Sequence, residues 1–277
     1  MQSQDPFAGP PAAPDARRPR WRGWLGGVAL ALALALLIAP PHDLPGKADR
    51  YAYAVCHRIP SHSIFIGGRQ LPLCARCSGT YLGTLAGLIV LLGLGRGRAN
   101  RFPPKRFLVV FGLFMATWAA DGLNSYLTFF PGLPHLYEPS NLLRLITGTL
   151  EGLALAAVIL PMFNLSVWAP GAALPVIHRW RDLGWLLIGG AAVIGAVGSE
   201  WPPLLYPLAV ASGAMIVLLV GLICSVLVLI LFRRDGQMQS WRAAVWPLVA
   251  GLALGLAGLA AIGLLRDFLT TALGLPF

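Results

Sequence analysis

Long apolar runs, separated by short polar or Pro- and Gly-rich segments, repeat along most of this chain. Uncharged runs of roughly 18 residues or more are typical of membrane-spanning helices. The pattern therefore predicts an all-α polytopic transmembrane helical bundle of about seven spans. The predicted spans are 24–40, 78–95, 107–127, 142–163, 183–198, 204–232 and 243–265. Among them, 183–198 is short and glycine-rich, so it is the weakest of the seven predictions.

The composition agrees with a membrane protein. The chain has 277 residues, of which 57% are hydrophobic and 12% are charged, whereas soluble domains carry roughly 25% charged residues. Its mean hydropathy is +0.70. The net charge of +10 is explained by basic segments beside the spans, which set membrane topology. The sequence has no nucleic-acid motif, so we expect a lipid bilayer and no nucleic acid among its partners.

The chain divides into three predicted regions. Residues 1–23 are expected to form a disordered basic cytoplasmic tail. Residues 24–163 are expected to form a membrane domain with an outer Cys/His loop at 41–77 and helices that line a polar cavity, and residues 164–277 add further transmembrane helices. The distribution of Lys and Arg favours a cytoplasmic N-terminus in a multi-pass protein of the bacterial plasma membrane. The outer loop is an exception to that distribution, because it contains five basic residues: Lys47, Arg50, Arg58, Arg69 and Arg76.

Three of the four cysteines lie in one polar stretch, CHRIPSHSIFIGGRQLPLCARCSGTYLG. Cys74 and Cys77 form a C-x-x-C pair directly before the second predicted span, and both zinc knuckles and redox pairs use this spacing. Cys56 and His57 lie at the other end of the loop. Three thiolates and one imidazole make a complete tetrahedral zinc set. We therefore predict an outward-facing metal site, with zinc as the preferred ion, formed by Cys56, His57, Cys74 and Cys77.

Two other interpretations of these cysteines stay open. The chain could be a membrane thiol-disulfide or quinone-linked oxidoreductase, with Cys74 and Cys77 as the active pair and Cys56 as the resolving thiol; a quinone cofactor belongs to this alternative alone. A purely structural disulfide is the second alternative. Cys224 lies inside the sixth predicted span and is interpreted as a small apolar residue.

Polar residues recur inside the third and fourth predicted spans, where they are costly and usually paired or functional. Asp121 and Arg144 are expected at similar depth, so they are predicted to form an ion pair between the two helices. The functional interpretation is a polar cavity below the cysteine loop that binds or transports a polar or lipid-linked substrate. Its predicted lining residues are Arg69, Gln70, Asp121, Asn124, Asn141, Arg144 and Glu151. Arg69 and Gln70 could instead hydrogen-bond carbonyls of the loop.

Glycines recur at four-residue spacing in three of the predicted spans: at Gly79, Gly83 and Gly87, at Gly148 and Gly152, and at Gly251 and Gly255. Small residues at this spacing let two membrane helices approach closely. We expect these positions to mark a tight helix–helix contact.

The cysteine stretch closely resembles the signature of a prokaryotic family of predicted membrane proteins catalogued as domain of unknown function 2085. The family segment is similar to C-H followed by FIGG-QLP-CARC-G-Y-G, and a later segment resembles DG followed by N-LR--TG. The resemblance covers 51–163 and implies a polytopic membrane protein with no assigned activity or substrate; a homo-oligomer is left open. It suggests that six residues belong to one site: Cys56, His57, Cys74, Cys77, Asp121 and Arg144.

Overall fold

The computed structural model describes residues 21–130, 134–171 and 173–274, without the side chains of residues 21–25. Most of the predicted basic tail, 1–20, lies outside the described residues. Residues 21–23 form the first turn of a helix.

The described residues form eight α-helices and one short β-hairpin. The helices are α1 (Trp21–Ile38), α2 (Leu44–Val55), α3 (Ala75–Gly93), α4 (Lys105–Leu127), α5 (Asn141–Val167), α6 (Trp180–Gly198), α7 (Leu205–Leu231) and α8 (Trp241–Leu273). The strands are β1 (Ser63–Ile66) and β2 (Arg69–Cys74), which pair antiparallel. Short 3₁₀ turns precede β1 and α7.

Six of these helices, α3 to α8, are long and apolar enough to cross a membrane. A helix of about 19 residues is roughly 28 Å long, close to the thickness of a hydrocarbon core. The weakest predicted span therefore forms a complete helix, α6, of 19 residues. The first predicted span forms α1, whose described apolar part, Gly26–Ile38, is shorter than the other six. The predicted helical membrane bundle is confirmed.

The segment predicted as an outer loop, 41–77, is largely regular structure. Asp43 caps the N-terminus of α2 by accepting a hydrogen bond from the backbone N–H of Gly46 at 2.8 Å. Gly67 and Gly68 connect β1 to β2 with φ of 58° and 79°, as a two-residue hairpin turn requires. The all-α prediction missed this hairpin, because a two-stranded element of four and six residues leaves only a weak alternating pattern.

Helices α3 and α5 run parallel and touch through their backbones. A Cβ atom on Gly79 would meet the carbonyl oxygen of Leu145, one on Gly83 would lie 2.7 Å from the carbonyl oxygen of Thr149, and one on Gly148 would meet the carbonyl oxygen of Arg76. Real side chains do not fit at such separations, so glycine is required at these positions. The expected tight contact is therefore present, and it begins at the level of the cysteines.

One apolar core joins the two predicted membrane regions. Leu91 of α3 and Leu153 of α5 pack in the same buried cluster as Leu186 of α6 and Met215 of α7. Side chains from before and after residue 163 therefore share a single interior.

The bundle end opposite the cysteines is closed by loop contacts. Asn164, near the end of α5, donates its amide N–H groups to the carbonyls of Gly97 and Ala99 at 3.1 and 2.7 Å. Its side-chain oxygen accepts a hydrogen bond from the indole N–H of Trp168 at 2.9 Å. The guanidinium of Arg98 stacks 3.6 Å from the centre of the same indole ring. The polar groups of this end are thus used to hold loops onto helices.

Candidate metal centre and adjoining polar cluster

Three elements deliver the three thiols to one place. Cys56 is the C-terminal cap of α2, and its backbone N–H bonds to the carbonyl of Ala52. Cys74 ends β2 and is also the residue that precedes the first turn of α3, and Cys77 lies within that turn. The hairpin returns the chain over the end of α2, so that the two ends of the sequence stretch meet.

The sulfur atoms of Cys56, Cys74 and Cys77 all lie within 4.8 Å of one another. Sulfurs that share a tetrahedral zinc ion with bonds near 2.3 Å are about 3.8 Å apart, whereas disulfide sulfurs are about 2.05 Å apart. All four cysteines are free thiols, and Cys56 and Cys74 are buried. The arrangement fits ligands around one ion with only a small contraction.

The three thiols do not share charge equally. Hydrogen bonds from the Cys74 and Cys77 side chains hold the pKa of Cys56 far below its usual value. The backbone N–H of Cys74 also points to the Cys56 sulfur, at 3.4 Å. The same hydrogen bond to Cys56 is the main cause that raises the pKa of Cys74 to about 11. Cys56 therefore carries the first negative charge, and a bound cation would be needed to favour further thiolates.

His57 lies beside this group rather than among the three mutually close sulfurs. Its imidazole hydrogen-bonds the Cys56 thiolate, and its Nε2 is 3.4 Å from Nδ1 of His62. Burial, followed by the charge of Arg144, lowers the pKa of His62 to about 4, so this second imidazole is neutral at physiological pH. His57 as the fourth ligand stays a prediction.

A residue from the far end of the chain fixes the position of Cys56. The guanidinium of Arg266, in α8, donates to the backbone carbonyls of Tyr53 and Cys56 at 2.5 and 2.6 Å. It also lies 4.3 Å from the centre of the Tyr53 ring. Sequence reasoning missed this contact; a single Arg near the C-terminal end of a 33-residue apolar helix was the signal available.

A cluster of polar side chains lies next to the thiols, between α3, α4 and α5. Its centre is Asp121, whose side chain is 1% exposed and forms an ion pair with Arg76. Asp121 also accepts hydrogen bonds from the hydroxyls of Tyr137 at 2.8 Å and Thr147 at 3.4 Å. The carboxylate therefore joins three helices and the α4–α5 connection.

Among the described residues, Asp121 pairs with Arg76 rather than with Arg144, so the predicted pair is wrong. Sequence reasoning did not pair Arg76 with Asp121, because Arg76 was counted among the basic residues of the outer loop. It is the second residue of α3, and its Nη2 also bonds the Ser125 hydroxyl at 3.0 Å.

Arg144 is buried, with 5% of its surface exposed, and donates to the side-chain oxygen of Asn141 at 2.8 Å. Asn141 in turn donates to the backbone carbonyls of Ser61 and Ser63, at 3.2 and 3.1 Å. This chain of contacts connects the start of α5 to the start of the hairpin. Arg144 and Thr147 are three residues apart and share one face of α5, so Arg144 lies on the side of the helix that faces Asp121. With Arg76, the cluster therefore has two positive charges and one negative charge.

Asn124 organises the connection between α4 and α5. Its side-chain oxygen accepts the backbone N–H of Leu136 at 2.6 Å, and its amide donates to the carbonyl of Tyr137 at 2.9 Å. These bonds place the Tyr137 hydroxyl on Asp121. Burial, and then this hydrogen bond, raise the pKa of Tyr137 to about 12, so the phenol remains a proton donor at neutral pH.

Arg69 and Gln70 make contacts within their own loop. Arg69 forms an ion pair of 3.0 Å with Asp49, which also pairs with Arg58. The amide of Gln70 donates to the carbonyl of Arg58 and to the hydroxyl of Ser63 at 3.0 and 2.8 Å. The carbonyl contact expected as an alternative is therefore present for Gln70, whereas Arg69 pairs with a carboxylate; a role of either residue in substrate binding stays a prediction.

Glu151 lies deeper in α5 and is 6% exposed. In the described part of the chain, its Oε2 atom has no hydrogen-bond partner. The neighbouring Gly152 packs against the backbone of Thr80 and Thr84 in α3, which places Glu151 at the α3–α5 contact. A buried carboxyl group in this situation is stable when it carries a proton or meets a bound group.

Fold and site together define a polytopic helical membrane protein with a cluster of three thiols at one end of the bundle. The family model described as "Predicted membrane protein (DUF2085)" matches residues 56–158, a range that begins at the first cysteine and includes Glu151. "Uncharacterized protein MJ1492" of Methanocaldococcus jannaschii is 34% identical over 145 residues, which cover 48% of this chain and 86% of that protein. The chain belongs to this family of predicted membrane proteins. No solved structure matches it.

The family and the six long helices support a multi-pass membrane location. The similar protein is archaeal, so the bacterial plasma membrane stays a prediction for this chain.

Proposed function

We propose that this protein binds one zinc ion through Cys56, Cys74 and Cys77, with His57 as the fourth ligand. The observation that carries the proposal is the approach of three thiols, from both ends of a 22-residue stretch, to within 4.8 Å of one another. Thiolate-rich tetrahedral sets prefer zinc among common divalent ions. The hydrogen bond between His57 and Cys56 keeps the imidazole beside one of the three sulfurs, which supports its choice as the fourth ligand.

The role of the ion is to hold the hairpin and α2 against the start of α3. The hairpin has a small core of its own, with Ile64, Ile66 and Leu71 buried against the bundle, so metal–ligand bonds add substantially to its stability. Arg76 lies between Cys74 and Cys77. Fixing both sulfurs therefore also fixes the backbone that aims Arg76 at Asp121.

The polar cluster beneath the ion binds the substrate. Arg76 and Arg144 supply two positive charges against the single carboxylate of Asp121, which suits an anionic or lipid-linked polar molecule. Glu151, deeper along the same helix, is suited to accept or release a proton as the molecule moves. The activity is binding or transport of this molecule, and the zinc-supported hairpin lies at the entrance to the polar cluster.

Metal analysis of the purified full-length protein, combined with thiol counting, tests the zinc site. We expect one zinc per chain and three thiols that react with a thiol reagent only after chelation. Cys74→Ser should lose the metal, whereas Cys224→Ser, which alters a cysteine in α7, should retain it. His57→Ala should weaken zinc binding by more than the roughly 10- to 100-fold that the loss of an outer-shell partner costs; a smaller loss would show that His57 is not a ligand. A metal-free protein with a reducible Cys74–Cys77 disulfide would contradict the proposal.

A metal-free protein with a Cys74–Cys77 disulfide would support thiol-disulfide chemistry, and one observation favours this second function. The lowered pKa of Cys56 and the N–H bond from Cys74 to its sulfur favour a stable thiolate, the reactive form of cysteine. In this second function, a quinone takes two electrons and two protons from the Cys74 and Cys77 thiols as their disulfide forms. The Cys56 thiolate then attacks that disulfide, forms a mixed disulfide with one of the two cysteines and releases the other as a thiolate. Reduction of an added quinone by the metal-free, thiol-reduced protein is the corresponding measurement.

A further inference from the structure

A cleft separate from the thiol centre and the polar cluster lies where α1, α2 and α8 meet. Its volume is about 210 Å³. The walls are apolar side chains of α1 and α8, among them Leu36, Leu259 and Leu264, and the polar rim is formed by α2. The rim residues are Lys47, Arg50 and Tyr51.

The two basic groups on the rim are placed at one end of an apolar groove. Lys47 donates to the backbone carbonyls of Leu37 and Ala39 at 2.5 and 2.8 Å, so its ammonium group is held at the end of α1. Arg50 faces Asp267 across 3.7 Å, and both side chains are nearly half exposed. An exposed pair at this separation is weak and can exchange for another anion. The rim therefore presents positive charge without a close buried counter-ion.

Gly263 indicates open space on the inner wall of this cleft. The residue is buried, yet a Cβ atom built on it would have no atom within 4 Å. Buried backbone that faces empty space, rather than a packed neighbour, is expected where another molecule covers it.

We propose that this cleft binds one anionic phospholipid. The phosphate lies between Lys47 and Arg50, and the first part of one acyl chain lies in the groove between α1 and α8. A volume of about 210 Å³ is smaller than pockets that enclose a whole ligand, which fits a lipid whose remaining chains stay in the bilayer. Charge selects an anionic head group, because each basic residue near a membrane surface favours anionic lipid about fivefold. The inference does not depend on the zinc site.

Native mass spectrometry of the full-length protein in mixed micelles tests this proposal. The probes are phosphatidylglycerol and phosphatidylcholine with identical acyl chains. We expect one phosphatidylglycerol to remain bound with a preference of at least about fivefold, and Arg50→Gln to reduce that preference by about the same factor. Arg242→Gln, a change of charge at the other end of α8, is the matched control and should leave the preference unchanged.

A second variant tests the apolar part of the cleft. Gly263→Leu should fill the groove and release the bound lipid while the charges remain. Gly258→Leu is its control, because Gly258 also lies in α8 with no atom within 4 Å of its Cβ position and does not line the cleft. Thermal unfolding of each variant identifies those that remain folded. Equal binding of the two lipids, or equal lipid retention by the folded Gly263→Leu and Gly258→Leu variants, would overturn the proposal.

Discussion

The two ends of α5 each contain an asparagine with the same pattern of hydrogen bonds, but in different surroundings. Asn141 and Asn164 each donate to two backbone carbonyls of a neighbouring segment, and the side-chain oxygen of each accepts one further donor. At Asn164 that donor is the neutral indole of Trp168. At Asn141 it is the buried cation Arg144. The bonds of Asn164 hold the 97–99 loop to the end of α5. The bonds of Asn141 hold a buried positive charge at the start of the same helix.

The ion pairs at the two ends are both largely buried but differ in what the carboxylate contacts. Asp182, 7% exposed, caps α6 by accepting the backbone N–H groups of His178 and Arg179 and lies 3.5 Å from Arg96. Asp121, 1% exposed, pairs with Arg76 and also accepts the hydroxyls of Tyr137 and Thr147. Buried polar groups that do more than cap a helix are a reason to expect ligand binding. We therefore propose a structural role for the end that contains Asn164 and Asp182, and a ligand-binding role for the end that contains Asn141 and Asp121. Four predictions test this difference.

The largest expected effect is at the backbone contact of the cysteine end. Gly148→Leu would place a side chain where the carbonyl of Arg76 lies, so α3 and α5 could not pack and folded protein should not accumulate. Gly184→Leu, in the first turns of α6 at the opposite end, has no atom within 4 Å of its Cβ position and should be tolerated. The measurement is the yield of monodisperse protein after detergent extraction. Normal yield of Gly148→Leu would show that the α3–α5 contact is incorrect.

Removing the carboxylate of Asp121 should lower the free energy of unfolding without preventing folding. Asp121→Leu leaves Arg76, whose side chain is only 17% exposed, without its carboxylate partner, and should lower the free energy of unfolding by up to about 3 kcal/mol, the lower end of the cost for a fully buried pair. Adding Arg76→Leu should recover most of that loss, because the uncompensated charge is then removed. Asp182→Asn, at the opposite end, keeps an oxygen for the helix cap and should cost about 1 kcal/mol. Denaturant unfolding followed by tryptophan fluorescence compares these variants; equal losses for Asp121→Leu and Asp182→Asn would remove the distinction between the two ends.

Zinc removal should destabilise only the end of the bundle that contains the three cysteines. With free zinc at about 100 times its dissociation constant, binding contributes about 2.7 kcal/mol, and chelation removes it. Hydrogen exchange should then increase in β1, β2 and the end of α2, while the segment 96–104 at the opposite end stays unchanged. The Cys56→Ser variant serves as the control, since chelation should not alter its exchange further. Uniform loosening of both ends would mean that the thiols stabilise the whole bundle rather than the hairpin.

The smallest effects are expected from the paired asparagines. Asn164→Ala removes two carbonyl contacts and one indole contact from a side chain that is 2% exposed, at a cost of about 1–3 kcal/mol. Asn141→Ala should cost about 1 kcal/mol, because its position is more accessible and water can replace its bonds to Ser61 and Ser63. It should nevertheless weaken ligand binding at Arg144, whereas Asn164→Ala should not. The same unfolding assay, together with a binding measurement once a ligand is known, separates stability from function.

Sequence patterns were sufficient for the helices because lipid leaves few choices. A backbone inside hydrocarbon must satisfy its own hydrogen bonds, so a long apolar run becomes a helix. This is why even the short run that became α6 was recognised. The cysteines were also recognisable, because C-x-x-C is a local spacing that brings two ligands together without help from the rest of the fold.

The polar pairings could not be predicted to the same degree. Asp121 had two arginines of comparable depth available, and only the packing of α3 against α5 decides that Arg76 reaches it. Arg266 meets Cys56 across 210 positions of sequence, a separation at which no spacing rule applies. The hairpin was missed because each strand is short and its pairing depends on the turn at Gly67 and Gly68.

By itself, the sequence determined the helical membrane class, the approximate spans and the presence of a three-thiol stretch, because these follow from local hydrophobicity and local spacing. Only the tertiary structure decided which groups meet: Cys56 with Cys74 and Cys77, Arg76 with Asp121, and α2 with α8. Such contacts depend on how glycine-lined helices approach one another. Their geometry is a property of the packed bundle and not of any single segment.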